Sequence, residues 1–141
     1  MRPLLSRFVA VLALSTAAFA STVPYRANGS AQFTGPNDFV GTGVATYLGR
    51  YTEAGHVAFA PTSDPVVLAV DGSVTYTASN GDELHALLVG TLNGATGVID
   101  ATATYVGGTG RFAQASGSSH LAGQMLGGGA VAAVVAGNID F

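Results

Sequence analysis

A two-residue alternation runs through most of this chain, and no other pattern restricts its fold as much. From Ser73 to Ser79, Val74, Tyr76 and Ala78 fall on one face and Ser73, Thr75, Thr77 and Ser79 on the other. Successive side chains of a strand point to opposite sides, so this spacing belongs to a sheet with one buried and one solvated face; a helix would repeat every ~3.6 residues. The same alternation puts Val57 and Phe59, then Leu84, Ala86, Leu88 and Leu92, then Ile99, Ala101, Ala103 and Tyr105, on buried faces. Leu121 and Met125, followed by Val131, Ala133, Val135, Ile139 and Phe141, complete the set.

Turn residues separate the runs. Gly43 to Tyr51 and His56 to Ala60 read as two strands, and Pro61-Thr62-Ser63-Asp64-Pro65 as a loop, because proline cannot donate to a central ladder. Val66 to Val70 is a short run ended by an Asp71-Gly72 turn. Asn80-Gly81 predicts a tight type I′ hairpin, whose two central residues need φ > 0, with the return strand from about Glu83 to Leu92. Asn93-Gly94 is a second hairpin signal, before a strand from Val98 to Val106. Ser118 to Met125 and Ala130 to Phe141 form the last pair, joined by Gly127-Gly128-Gly129. Ahead of Phe39, Asn28-Gly29-Ser30 and Gly35-Pro36 are turn signals. Residues 21–38 are therefore expected to be a loose lead-in with one short strand near Ala31 to Phe33, and residues 39–141 the folded domain. Seven or eight strands without a long helix make an antiparallel barrel or sandwich, and small residues alternating with large ones suit the taper of a small closed barrel. Gly43, Gly90, Gly123 and Gly137 are the expected points of sharp bending.

One segment breaks the alternation: Gly107-Gly108-Thr109-Gly110-Arg111-Phe112-Ala113-Gln114-Ala115-Ser116-Gly117. Gly107, Gly108, Gly110 and Gly117 mark backbone positions of positive φ or close approach. Arg111 is its one charge and Phe112 its one large apolar group. We expect a structured crossover with one turn of helix at Arg111 to Ala115 and Phe112 plugging one end of the core.

This segment resembles the crossover of secreted bacterial proteins with an allene oxide cyclase-like barrel, and plant dirigent proteins carry a similar stretch. Thr46-Tyr47-Leu48-Gly49-Arg50-Tyr51-Thr52 resembles a second signature of the bacterial group, and the Asn80-Gly81-Asp82 turn is a third similarity. The resemblance implies an all-β fold: a single antiparallel, calycin-like barrel of about eight strands. Dirigent proteins and allene oxide cyclases steer a reactive small molecule inside such a barrel. The likeness covers turns and a crossover, not cavity side chains, so it carries no catalytic residue over.

Composition removes several function classes. The chain has no cysteine, hence no disulfide, thiolate nucleophile or cysteine metal site. It has no lysine, a formal net charge of −3 and no basic patch, which argues against nucleic acid. Without lysine the glycine-rich segment cannot be a phosphate-binding P-loop, and no Gly-x-Ser-x-Gly elbow is present. The N-terminus reads as an export signal over residues 1–20. Arg2 and Arg7 are its basic part, Phe8 to Leu14 its apolar part, and Ala18-Phe19-Ala20 the small residues before cleavage. A secreted protein, periplasmic or extracellular, follows. An outer-membrane barrel would need strands of ~9–11 residues and aromatic girdles, and several runs here read shorter.

The candidate sites are sparse. Glu53 and His56, close to Arg50, read as a solvated hairpin end with a weak ion pair; the alternative is an acid/base group in a barrel mouth. Asp82, Glu83 and His85 could ligate a metal but flank a tight turn where polar residues are expected anyway, so we expect no metal and no cofactor. His56, His85 and His120 each oppose apolar neighbours and should face solvent. Arg50, Tyr76 and Tyr105 are the candidates for a ligand site inside the barrel, Arg50 because the facing of its strand is ambiguous. An apolar inner face with almost no inward charge favours a non-enzymatic domain holding a small apolar molecule. The alternative is an isomerase or cyclase, which needs an ionisable group inside.

Overall fold

In the computed structural model, which describes residues 22–141, eight strands follow one another around a closed antiparallel barrel. They are β1 (Val23–Phe33), β2 (Asp38–Ala45), β3 (Gly49–Pro61), β4 (Val67–Ala78), β5 (Glu83–Asn93), β6 (Val98–Gly108), β7 (Ser116–Gly127) and β8 (Ala130–Asp140). Each pairs with its neighbours in sequence, and β1 closes the ring against β8. The export signal expected over residues 1–20 lies outside the described residues. The expected buried faces turn inward: Val57, Val74, Tyr76, Leu84, Leu88, Ala103, Tyr105, Val135 and Ile139 are all buried. An eight-stranded barrel is just wide enough for its interior to be filled by side chains or to hold one small ligand.

Several boundaries differ from expectation, each for a local reason. The lead-in is not loose. β1 is a full stave from Val23, paired along both edges, with Tyr25 and Ala27 buried; Gly29, read as a turn signal, sits mid-strand on the inner face. Asp71-Gly72 makes no turn, because β4 runs straight through it. A Cβ on Gly72 would lie within 2.7 Å of Val57 Cα, so the glycine serves close strand approach instead. The Gly43 to Tyr51 run is two strands joined at Thr46 to Leu48. That hairpin is carried by Tyr47 at φ 67°, a residue type that does not advertise a left-handed turn. β3 then continues unbroken through His56 to Ala60. The Asn80-Gly81 hairpin is not type I′, since only Gly81 of the two has positive φ, at 90°. Gly81 N donates to Ala78 O and Ala78 N to Asp82 O, the pattern of a three-residue loop ending in a left-handed glycine.

The Gly107 to Gly117 segment is no crossover. It joins β6 to β7, which are adjacent, and folds inward over one barrel end. Its helical part is a short 3-10 turn, Gly110–Phe112, rather than a turn over Arg111 to Ala115. Phe112 is fully buried and its ring lies 5.3 Å from that of Phe141, so Phe112 does plug the end. Arg111 Nε donates to Asp82 Oδ2 at 3.0 Å and its guanidinium lies over the Phe112 ring, tying the plug to the β4–β5 turn. That bond holds the Asp82 carboxyl below its usual pKa. Gly110 has φ 55°, and a Cβ there would run into the Asp82 carboxylate. Gly110→Val is therefore expected to cost on the order of 1–3 kcal/mol. A urea midpoint equal to that of the parent would show that this backbone conformation is not required.

Candidate functional site

Three inward glycines shape the wall where the candidate site lies. The β2–β3 register sets Phe39 against Gly55, Gly41 against Glu53 and Gly43 against Tyr51, so each large inner side chain lies over a glycine. A Cβ on Gly41 would stand 2.5 Å from Glu53 Oε1, and one on Gly29 2.5 Å from the Tyr51 hydroxyl. Glycine at these positions gives the carboxylate and the phenol room to lie flat against β1 and β2. What remains in front of them is a cavity of about 90 Å³. It is bounded by Glu53, Tyr51 and Tyr76 toward the plug and by Phe33, Phe39 and Phe59 toward the other end. The plugged end is sealed: Leu84, Phe112 and Ile139 have no exposed surface. Phe33, Phe59, Leu92 and Met125 are only half-buried, so solvent reaches the cavity from the end opposite the plug, the mouth.

Below the cavity lies a layer of phenols. Tyr25 and Tyr105 pack edge to face with centroids 5.2 Å apart, and Tyr51 and Tyr76 do the same at 5.3 Å. The Tyr105 hydroxyl and Ser119 Oγ are 2.8 Å apart and share a hydrogen bond. The buried Tyr25 hydroxyl has no partner among the described residues. Burial pushes the Tyr105 phenol up to about 12, with the Ser119 bond opposing the rise. Burial first, and neighbouring acidic groups second, raise Tyr25, Tyr51 and Tyr76 further. All four phenols therefore keep their protons, and can donate them in hydrogen bonds, near neutral pH. Loss of solvent pushes the Glu53 carboxyl up to about 7. Glu53 makes no ion pair with any of the described residues. A carboxyl poised near neutrality can take or give a proton, or pair with a charge brought in from outside.

The expected site residues divide. Tyr76 and Tyr105 point inward, and Tyr76 lines the cavity. Arg50 does not: it is exposed on the outer face beside Thr42, Thr52, Thr77 and Ser79. Alternation decides this, because Tyr51 is buried and its neighbour must point out. Glu53 corrects two expectations, the solvated hairpin end and the uncharged inner face. It shares β3 with His56 but lies on the opposite face from it. The signal was present, since Glu53 falls in the same two-residue phase as Tyr51, Val57 and Phe59. His56 and His120 are exposed and lie 2.7 Å from Asp38 and Asp100, and His85 is half-exposed, 3.7 Å from Glu83.

No family model matches this chain, and no curated protein matches it either.

Proposed function

We propose that this protein is an exported, non-enzymatic barrel domain that binds one small, mostly apolar molecule in its interior. The observation that carries the reading is an apolar cavity sealed at one end by Phe112 and reached by solvent at the other. Its volume of about 90 Å³ is below the ~150 Å³ of an apolar cavity known to hold benzene, so a ring of that size seats only in part, with the rest in the open mouth. The resemblance to allene oxide cyclase-like and dirigent-like barrels supports a role centred on the interior. The outer face exposes Val and Leu side chains but interleaves them with Arg26, Asp38, Arg50, His56, Asp71, Asp100 and His120, where a lipid-embedded barrel carries an apolar band. It supports a domain free of the membrane, although strands of 8–13 residues remove the objection from length.

The test is an NMR titration with toluene. The Met125 methyl lines the cavity and should shift saturably, while the outward Leu87 should not move. Ala133→Phe, which fills the cavity, should abolish the shift. No shift at Met125, or equal shifts at Leu87, would overturn the reading.

Glu53 favours a second reading, a proton-transferring isomerase or cyclase. In that case Glu53→Gln would abolish turnover while leaving ligand binding in place.

A further inference from the structure

We propose that the molecule held in the barrel is a small organic cation, an ammonium group with apolar substituents, drawn to the mouth by aspartates and paired inside with Glu53. This rests on the interior-binding reading and names the chemistry of its ligand.

Three independent features point the same way. First, Glu53 is the one charged side chain lining the cavity, and no arginine or histidine lines it. A carboxylate taken out of water without a partner is costly, and a cation seated in front of it would offset that cost. Second, the rest of the lining is ring-rich: Phe33, Phe39, Tyr51, Phe59 and Tyr76 surround the same space as Glu53. Ring faces carry negative potential and attract cations, alkylated ammonium groups above all, because little hydration is lost on entry. Third, charge is unevenly spread along the barrel axis. Asp38, Asp64, Asp71 and Asp100 lie in the half that faces the mouth. Arg26, Arg50 and Arg111, the arginines of the described residues, lie toward the plugged end, where Asp82, Glu83 and Asp140 offset them. The four aspartates stand on the outside of the mouth half rather than in the cavity wall, so they act through the field around the opening, which favours cations there.

The alternatives fit less well. An anionic ligand such as a fatty acid would bring a carboxylate past the aspartates onto Glu53. A neutral hydrocarbon would leave Glu53 desolvated and unpaired. The groups facing Glu53 are Tyr51 on its own strand, Gly41 across β2 and Tyr76 across β4, with Tyr25 of β1 within reach of its charge. None can supply a positive charge.

The experiment compares choline with dimethylbutanol, its uncharged carbon isostere, by calorimetry and by the Met125 methyl shift, with toluene as a third probe. At about pH 8, where Glu53 is ionised, choline should bind on the order of ten-fold tighter than the isostere. The gap should narrow at about pH 5, where Glu53 is protonated, and in Glu53→Gln at either pH, to what the rings alone supply. A separate melt of the variant checks that it is folded. Equal affinities at about pH 8, or toluene binding with no response to choline, would overturn the cation while leaving interior binding intact. A choline preference undiminished in Glu53→Gln would overturn the role of Glu53. Failure of all three probes would remove both readings together.

Discussion

Phe112→Ala is expected to destabilise the fold by about 3–5 kcal/mol, the range for removing a fully buried aromatic ring. The ring has no exposed surface, packs at 5.3 Å on Phe141 and carries the Arg111 guanidinium above it at 5.0 Å. Its backbone cannot follow the loss. Phe112 N is held by Thr109 O at 3.0 Å, Ala115 N by Phe112 O at 3.0 Å, and Gly107 N by Ala115 O at 2.9 Å. The space left would therefore stay open rather than collapse. It would lie at the plugged end of the core that also holds Tyr25 and Tyr105. Urea unfolding at neutral pH reads the change. Phe112→Leu, which keeps most of the apolar volume, should lose distinctly less. A Phe112→Ala midpoint equal to the parent's would mean that this end is not closed by the ring.

Glu53→Gln is expected to act in the opposite direction, and only above acid pH. Burial raises the folded-state pKa of Glu53 from 4.5 to about 7. Below about pH 4.5 the carboxyl is protonated in both folded and unfolded chains and costs nothing. Between about 4.5 and 7 the unfolded chain releases the proton first, so stability falls as pH rises; above about 7 the full penalty is present. A shift of that size corresponds to an upper limit of ~3 kcal/mol, and water reaching the cavity lowers it, so a gain on the order of 2 kcal/mol is expected for Glu53→Gln at about pH 8. The two proteins should converge at about pH 4. Thermal melts across this range check both halves. A variant less stable than the parent at about pH 8 would mean that the charge of Glu53 has a partner within the protein.

The strands and their inner faces were legible because inner side chains take every second position over long runs; Phe141, expected on the same face as Ile139, is exposed instead. Ile99, Ala101, Ala103 and Tyr105 all face inward as the alternation requires, and so do Val131, Val135 and Ile139. The places that were not legible share one physical cause: glycine has two uses, and a lone sequence does not separate them. Gly29 and Gly72 read as turn residues but lie in mid-strand, where a Cβ would strike a neighbouring strand. Gly97, by contrast, takes φ 76° and closes the β5–β6 loop by donating to Asn93 O. The turn at Tyr47 was hidden for the converse reason. Tyr47 holds a left-handed φ with no glycine at its own position, and its ring packs 5.0 Å from Phe141.

The site was legible in its parts but not in its centre. The inward facing of Tyr76 and Tyr105 followed from phase alone, and of the two only Tyr76 lines the cavity. Glu53 was read first as a solvated hairpin end, with an acid/base group in the barrel mouth as the alternative, because a carboxylate near a turn is usually solvated, and that expectation outweighed the phase it shares with Tyr51 and Val57. The feature that settles its facing is pairwise: Gly41 sits across from Glu53 as Gly43 does from Tyr51. A glycine that faces a large residue on the next strand leaves room for an inward side chain, and this complementarity emerges only once the β2–β3 register is fixed. The turn at Thr46 to Leu48 fixes that register.

Both the cation proposal and the proton-transfer reading depend on an ionisable carboxyl held inside an apolar barrel, and one titration addresses it. With glutamate side chains labelled by carbon-13, the Glu53 carboxyl resonance, assigned by its loss in Glu53→Gln, should titrate with a midpoint near 7. Glu83, the other glutamate of the described residues and an outer-face partner of His85, supplies the internal comparison. A Glu53 midpoint at about 4.5, the value of a solvated glutamate, would contradict its burial and with it the pairing of an interior cation with Glu53.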